Sequence, residues 1–150
     1  MEVESVIDSR TILTHLEAQN KDDALEKMAA ALYKAGYLKD KAGYLEDVYL
    51  REKKGATGIG GYIAIPHGKS ASVQKIGVAI ATLDKEISWE TLDGHGVRAI
   101  VMFAVGNDEE GAKEHLRILA LFARKLGRET VVDALLKADT ADDVKKAFDN

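Results

Sequence analysis

The residues best suited to chemistry lie in one pentapeptide, residues 65–69, which reads Ile-Pro-His-Gly-Lys and holds the only proline of this 150-residue chain. Proline fixes its own φ and pushes the preceding residue towards extended geometry. Because a short apolar stretch precedes it at residues 62–65, we expect a strand that ends at Ile65 or Pro66, with His67 at its tip. An imidazole at a strand end can act as a nucleophile when it is neutral near pH 7, or it can bind a metal ion.

Two further residues are candidates for the same chemistry. His115 lies near the start of a predicted helix, just after a strand-ending loop. It is either a half-buried structural histidine or part of a site at the edge of an α/β sheet. Arg51 lies near the end of another predicted helix, where it is either a solvated cation or a group that reaches an anion near His67. The spacing leaves both pairs of alternatives open.

The other two histidines have simpler interpretations, His15 as a structural residue of a strand and His95 as a solvated residue of a turn.

A glycine-rich loop, Gly-Ala-Thr-Gly-Ile-Gly-Gly at residues 55–61, precedes the strand that leads to His67. A dinucleotide-binding loop would follow a strand and carry a third spaced glycine, so that interpretation fails. Residues 68–70, Gly-Lys-Ser, resemble the end of a P-loop, but Ile63 stands where its first glycine is required and a strand follows instead of a helix. We therefore expect a flexible or tightly turned loop whose backbone can approach a partner closely.

Composition excludes several classes of function. The formal charge is −4 with both signs interspersed and no basic stripe, which argues against nucleic acid and anionic membranes as partners. The chain has no cysteine, so it has no disulfide, thiolate metal site or cysteine nucleophile. No paired-histidine metal motif and no Gly-x-Ser-x-Gly elbow is present. The acidic N-terminus lacks a signal-peptide core, and no apolar run approaches the ~20 residues of a spanning helix. The expected compartment is the cytoplasm.

The order of the elements predicts one α/β domain over residues 1–150. We expect a strand at 11–16, helices at 20–36 and about 40–53, strands at 62–65, 76–83 and 97–105, and helices at 113–126, 130–137 and 140–148. The strands at 76–83 and 97–105 are unbroken apolar runs, typical of central strands buried on two faces. The predicted fold is a three-layer α/β/α sandwich around a mixed sheet, in the order β-α-α-β-β-β-α-α-α.

Several of these segments together resemble one protein family. Residues 51–60 read Arg-Glu-x-x-Gly-x-Thr-Gly-Ile-Gly, and residues 63–68 read Ile-Ala-Ile-Pro-His-Gly. The pattern continues through Ile-Ser-Trp at 87–89, Leu-Asp-Gly at 92–94, the apolar run at 97–105 and His-Leu-x-x-Leu at 115–119. In this order, over nearly the whole chain, the segments resemble the fructose/mannitol-type IIA domains of the bacterial phosphoenolpyruvate-dependent sugar phosphotransferase system. Tyr62 departs from the pattern, since small or polar residues are common at its position.

The resemblance implies a phosphoryl carrier. It implies that His67 is phosphorylated by the phosphocarrier protein HPr and donates to a IIB component, which serves the membrane-embedded IIC sugar permease. It further implies that His115 is the second active-site histidine and that Arg51 lies beside the phosphoryl group. Amides of the loop at Thr57, Gly58, Gly60 and Gly61 could add a backbone nest for the same group. No cofactor and no metal is expected for this step.

Two other functions stay open at this stage. Nitrogen-regulatory IIA paralogues have the same fold and the same histidine, and in them the phosphorylation state controls binding to other proteins rather than sugar flux. An unrelated metal- or ligand-binding α/β domain would instead carry stoichiometric metal after purification. The sequence does not identify the sugar, the IIB partner, the oligomeric state or the imidazole nitrogen that is phosphorylated.

Overall fold

The computed structural model describes residues 3–149, except for the side chain of Glu4. A short 3-10 helix at Val3–Ser5 opens the described part of the chain. The strands are β1 (Ile7–Leu16), β2 (Gly58–Gly60), β3 (Ile63–Ala64), β4 (His67–Lys69), β5 (Gly77–Ile87) and β6 (Val97–Val105). The helices are α1 (Lys21–Lys34), α2 (Lys41–Glu52), α3 (Glu109–Leu126), α4 (Glu129–Leu136) and α5 (Ala141–Ala147).

Capping side chains explain where several helices begin. Asn20 precedes α1 and accepts a hydrogen bond from the backbone N–H of Asp23, and Asp40 caps α2 in the same way through Ala42. Before α5, Thr140 and Asp143 form a reciprocal capping box. These caps confirm the helix starts that the sequence predicts at Asn20, Asp40 and Thr140.

The strands form one mixed sheet in the order β1-β5-β6-β3-β2, and β4 also pairs with β6. The pair β1–β5 is parallel, β5–β6 is antiparallel, and both β3 and β4 run parallel to β6. Along this edge of β6, Ile63 is opposite Ala99 and His67 is opposite Phe103. His67 therefore lies on a short strand that pairs with the buried strand β6.

Helices cover both faces of the sheet, which confirms the predicted three-layer α/β/α architecture. Alternate residues of β6 enter different cores: Ile100 and Met102 pack with α1 and α2, whereas Val101 and Phe103 pack with α3, α4 and α5. This alternation explains the unbroken apolar run at residues 97–105, because both faces of β6 are buried. In residues 3–149 no helix is both long and apolar enough to cross a membrane.

The predicted position of His67 at a strand tip is wrong. β3 ends at Ala64, the chain leaves the ladder at Ile65 and Pro66, and His67 begins the separate strand β4. Proline causes the interruption because it has no N–H to donate, although its carbonyl still accepts from the N–H of Phe103 at 3.0 Å. The predicted element order thus lacks two short strands, β2 and β4.

Candidate active site

His67 is held at the start of β4 with only 8% of its surface exposed. Pairing with Phe103 fixes its backbone. Its Nδ1 lies 3.1 Å from the carbonyl oxygen of Ile65. Because a carbonyl can only accept a hydrogen bond, this contact requires the proton on Nδ1 and leaves the lone pair on Nε2.

His115, in the second turn of α3, faces His67 across the sheet edge. The two ring centroids are 4.7 Å apart and the ring planes are inclined by 56°. The Nε2 atom of His115 is buried, and it has no hydrogen-bond partner among the described residues. A buried polar atom without a partner is costly, so it is a feature that a bound group can satisfy.

Both imidazoles are neutral near neutral pH. Burial lowers the pKa of His67, and the positive charges of Arg51 and Lys69 lower this pKa further, against opposing effects from the Ile65 carbonyl and Glu52. For His115, burial is again the largest cause, followed by the charges of His67, Lys69 and Arg51, and its pKa is lowered to about 4. A neutral His67 keeps a lone pair available for attack.

Arg51 lies in the last turn of α2. Its Nη1 donates to the carbonyl of Gly55 at 3.1 Å, which ties the guanidinium to the start of the glycine-rich loop. Its charge acts on both His67 and His115, because it lowers the pKa of each. The structure thus brings His67 and His115 into contact and places the charge of Arg51 where it acts on both rings. All three residues are among those selected from the sequence.

The glycine-rich loop is a β-hairpin rather than a cradle around His67. Gly58 pairs with Ala64, and Gly60 pairs with Ile63. Gly60 and Gly61 have φ values of 91° and 63°, which favour glycine, and the N–H of Gly61 donates to Asp93 at 3.0 Å.

The register of the sheet separates this turn from His67. The β6 residues opposite Ile63 and His67 are Ala99 and Phe103, four positions apart, which is roughly 13 Å along a strand. Thr57 is buried, and its carbonyl accepts from Ile65 next to Pro66. The structure therefore brings Thr57 towards the site but does not bring Gly60 or Gly61 to the imidazoles.

The other two histidines lie in separate surroundings. The ring of His15 is bound between two carboxylates, with Nδ1 2.5 Å from Asp84 and Nε2 2.8 Å from Asp139. His95 is exposed, and its ring stacks on Tyr62 at 5.3 Å between centroids. His15 is thus structural, as predicted, and His95 lies in the loop 91–96, as predicted.

Sequence reasoning missed three charged residues that border the site. Glu52 and Lys69 both change the pKa of His67. Lys21 forms an ion pair with Glu52 at 2.5 Å. Glu52 and Lys69 could have been found from the sequence, because they lie next to the motif residues Arg51 and Gly68. Lys21 could not, because its contact with Glu52 depends on how α1 packs beside α2. Among the described residues, no group of three or more His, Cys, Asp or Glu is arranged to hold a metal ion.

Comparison with known proteins decides the family. The family model for the "Phosphoenolpyruvate-dependent sugar phosphotransferase system, EIIA 2" matches residues 5–150. The chain belongs to this EIIA family. The resemblance stated from the sequence is therefore confirmed, and with it the α/β fold of the EIIA domains.

Relatives of this EIIA chain differ in name and in length. It is 34% identical over 143 residues to the fructose-specific EIIABC component of Bacillus subtilis, covering 95% of this chain but 22% of that protein. It is 31% identical over 135 residues to a nitrogen regulatory protein of Bradyrhizobium diazoefficiens, covering 90% and 86%. Among solved structures, nitrogen regulatory protein IIA-Ntr of Neisseria meningitidis superposes with a TM-score of 0.87 at 25% identity, over 97% of this chain and 98% of that one.

Proposed function

We propose that this EIIA chain, acting as one domain over residues 1–150, accepts a phosphoryl group from phospho-HPr on His67 and passes it to a IIB component during sugar uptake. The observation that carries the proposal is the contact between the neutral rings of His67 and His115. The Nδ1 proton of His67 is fixed, and Nε2 of His115 has no hydrogen-bond partner among the residues that the structure describes. A role between HPr and IIB also implies a cytoplasmic location.

The geometry supports Nε2 of His67 as the attacking atom. Nε2 of His67 carries the lone pair, because Nδ1 donates to the carbonyl of Ile65. Nε2 attacks the phosphorus of the donor phosphohistidine, the new P–N bond forms, and the donor P–N bond breaks with its electron pair returning to the donor imidazole. The Nδ1 proton stays on His67 throughout. It withdraws electrons from the phosphorylated ring, so His67 remains a good leaving group for the next transfer.

In this proposal, two groups stabilise the transferring phosphoryl group. Its charge accumulates on the equatorial oxygens, so catalysis rests on alignment and electrostatic stabilisation. His115 can donate from its buried Nε2, which has no hydrogen-bond partner within residues 3–149. Arg51 contributes positive charge from the end of α2. Each charge-assisted hydrogen bond of this kind contributes on the order of 1.5–3 kcal/mol.

The surroundings of the pair suit a protein partner. Leu116, next to His115 in the sequence, is 71% exposed. Large exposed apolar side chains near a reactive group favour transient contact with another protein. A IIB partner is further supported by the complex of enzyme IIAMTL with phosphorylated enzyme IIBMTL of Escherichia coli, whose fold matches 95% of this chain with a TM-score of 0.80 at 23% identity.

A regulatory function is the second candidate. Both the nitrogen regulatory relative and the IIA-Ntr structure match nearly the full chain. In that function, His67 would still accept a phosphoryl group, but its phosphorylation state would control binding to a regulatory protein target instead of sugar flux.

The experiment first tests phosphorylation of His67, which both functions require, and then transfer to IIB, which only the sugar-uptake function requires. The purified chain is incubated with phosphoenolpyruvate, enzyme I and HPr, then mixed with fructose- or mannitol-type IIB. We expect transfer to at least one IIB, and we expect the His67→Ala variant to accept no phosphoryl group. Full phosphorylation of that variant would contradict the proposal. Phosphorylation of the wild type without transfer to any IIB would favour the regulatory function.

A further inference from the structure

A buried carboxylate lies directly behind the active site. Glu52, the last residue of α2, has a side chain only 6% exposed. Its Oε1 is 2.5 Å from Nζ of Lys21, and its Oε2 accepts from the hydroxyl of Thr57 at 2.6 Å. A buried charge needs a counter-charge and hydrogen bonds. The ammonium of Lys21 provides the counter-charge at Oε1, which makes no hydrogen bond within residues 3–149, and the Thr57 hydroxyl provides the hydrogen bond at Oε2.

The hydroxyl of Thr57 is fixed from two sides. It donates to Glu52 and accepts from the indole N–H of Trp89 at 3.1 Å. Trp89 is itself buried, and Nζ of Lys21 lies 4.9 Å from the centroid of its ring. Thr57 therefore has little freedom to move, because each displacement would leave a buried polar group unsatisfied.

Two hydrogen bonds through the backbone of Ile65 connect Thr57 to the reactive imidazole. The carbonyl of Thr57 accepts from the N–H of Ile65 at 2.9 Å. The carbonyl of Ile65 in turn accepts from Nδ1 of His67 at 3.1 Å. A continuous chain of hydrogen bonds thus runs from the carboxylate of Glu52 through Thr57 and Ile65 to Nδ1 of His67.

Glu52 also balances the charges around His67. From α2 the imidazole faces Arg51 and Glu52, from β4 it faces Lys69, and from α3 it faces the neutral ring of His115. The two cations lower the basicity of His67, and Glu52 is the charged group that opposes them.

We propose that Glu52 is a positioning residue for phosphoryl acceptance, which acts through Thr57 and Ile65 to fix the orientation and tautomer of His67. This inference rests on the proposed function of His67 as the phosphoryl acceptor. It adds a residue that never touches the phosphoryl group but determines which imidazole nitrogen meets it.

Four variants test the inference. Thr57→Val keeps the shape of the side chain and removes the hydroxyl, Thr57→Ser restores the hydroxyl, and Glu52→Gln removes the charge. Thr11→Val is the matched control, because Thr11 is also fully buried and donates to a backbone carbonyl, that of Val78 at 2.7 Å, on the opposite part of the sheet.

The first readout needs no partner protein. Nitrogen-15 NMR of the histidine rings reports which nitrogen of His67 carries the proton, and its titration reports the pKa. We expect the Nδ1–H form in the wild type, in Thr57→Ser and in Thr11→Val, and a mixture of tautomers in Thr57→Val. In Glu52→Gln we expect the pKa of His67 to fall, because the charge that raises it is gone.

The second readout is the rate of phosphorylation by phospho-HPr. We expect Thr57→Val and Glu52→Gln to slow it by about ten- to hundredfold, the effect of a misplaced reacting group. Thr57→Ser and Thr11→Val should retain the wild-type rate.

A folded Thr57→Val protein with the wild-type tautomer would overturn the inference, whatever its rate. If Thr57→Val does not fold, a Glu52→Gln protein with an unchanged pKa and rate would overturn it instead. If the wild type itself accepts no phosphoryl group, the proposed function fails, and the NMR result still decides whether Glu52 positions His67.

Discussion

The rings of His67 and His115 come from β4 and α3 and meet with centroids 4.7 Å apart. They are not equivalent. His67 has its Nδ1 proton held by a backbone carbonyl, whereas His115 has a buried Nε2 with no partner in the described part of the chain. A phosphoryl group on Nε2 of His67 would supply the acceptor that His115 lacks.

The first prediction concerns His115. We expect His115→Ala to slow phosphoryl transfer by about 10²–10³-fold, the usual effect of removing one donor to a charged transition state. The fold should persist, because His115 is only half-buried. Rapid-quench measurement of transfer from phospho-HPr and to IIB gives both rates.

His95→Ala is the control for that prediction. His95 is also a histidine paired with an aromatic ring, but it is exposed and contacts Tyr62 rather than His67. We expect little change in rate. Equal losses in the two variants would show that the His67–His115 contact has no special role.

A second prediction links His115 to stability at low pH. Its folded pKa is about 4, against 6.5 for a free histidine, so the unfolded chain binds a proton before the folded chain does. The contribution of His115 to stability is therefore complete above pH 6.5 and is lost as the pH falls towards about 4. Urea unfolding at several pH values should show a smaller loss on acidification for His115→Gln than for the wild type. A parallel loss in both would contradict the lowered pKa.

His15 should show the opposite pH dependence. Hydrogen bonds that the His15 ring donates to the carboxylates of Asp84 and Asp139 raise its pKa above 6.5, so the folded chain holds the proton more tightly than the unfolded chain. The contribution of His15 is complete below pH 6.5 and is lost as the pH rises through the folded pKa.

The variant His15→Asn tests this contribution without backbone strain. The φ of His15 is 54°, and asparagine tolerates this left-handed region well. We expect the stability advantage of the wild type over His15→Asn to shrink as the pH rises above 6.5, and to be smaller in high salt because these groups are exposed. A stability advantage of the wild type that grows with pH would show that folding does not raise the pKa of His15.

A fourth prediction concerns Gly68, the residue after the phosphoryl acceptor. A Cβ there would lie 3.0 Å from side-chain atoms of both Tyr44 and Val48, which are fully buried on α2. Overpacking of this kind costs about 1–3 kcal/mol. We expect Gly68→Ala to lower the urea midpoint and to slow phosphorylation, because β4 must move and carries His67 with it.

Gly106→Ala is the matched control for Gly68→Ala. At Gly106 the nearest atom to an added Cβ is Asp108 Oδ1 at 3.6 Å, an ordinary contact, and its φ lies outside the left-handed region. Its urea midpoint should stay near that of the wild type. If Gly68→Ala is equally neutral, the α2–β4 packing does not position His67.

The sequence predicts the long elements well because their signals are local. The caps at Asn20 and Thr140 and the doubly buried run at residues 97–105 each depend on neighbouring residues, and the structure confirms them. The short strands β2 and β4 have two or three backbone pairs each: β2 pairs with β3 across a tight turn, and β4 pairs with the distant strand β6. Segments of two or three residues are too short to show the alternation that identifies a strand in a sequence.

The candidate site, too, could be predicted only where the signal is local in the sequence. Imidazole chemistry at His67 can be inferred from the residues around it, but the spacing did not decide whether His115 and Arg51 take part, and only the family resemblance selected them. The glycines at residues 55–61 do not by themselves distinguish a phosphoryl-binding nest from a tight turn, and in the structure part of this loop forms the hairpin between β2 and β3. Glu52 was missed because its burial depends on Lys21 from another helix.

The most direct test of the account is the position of the phosphoryl group. The wild-type chain, labelled with nitrogen-15 histidine, is incubated with phosphoenolpyruvate, enzyme I and HPr, and then examined by intact mass, peptide mapping and phosphorus–nitrogen coupling. We predict one acid-labile, base-stable phosphoryl group on Nε2 of His67. No adduct with active HPr and folded protein, or an adduct on another residue, would contradict the account.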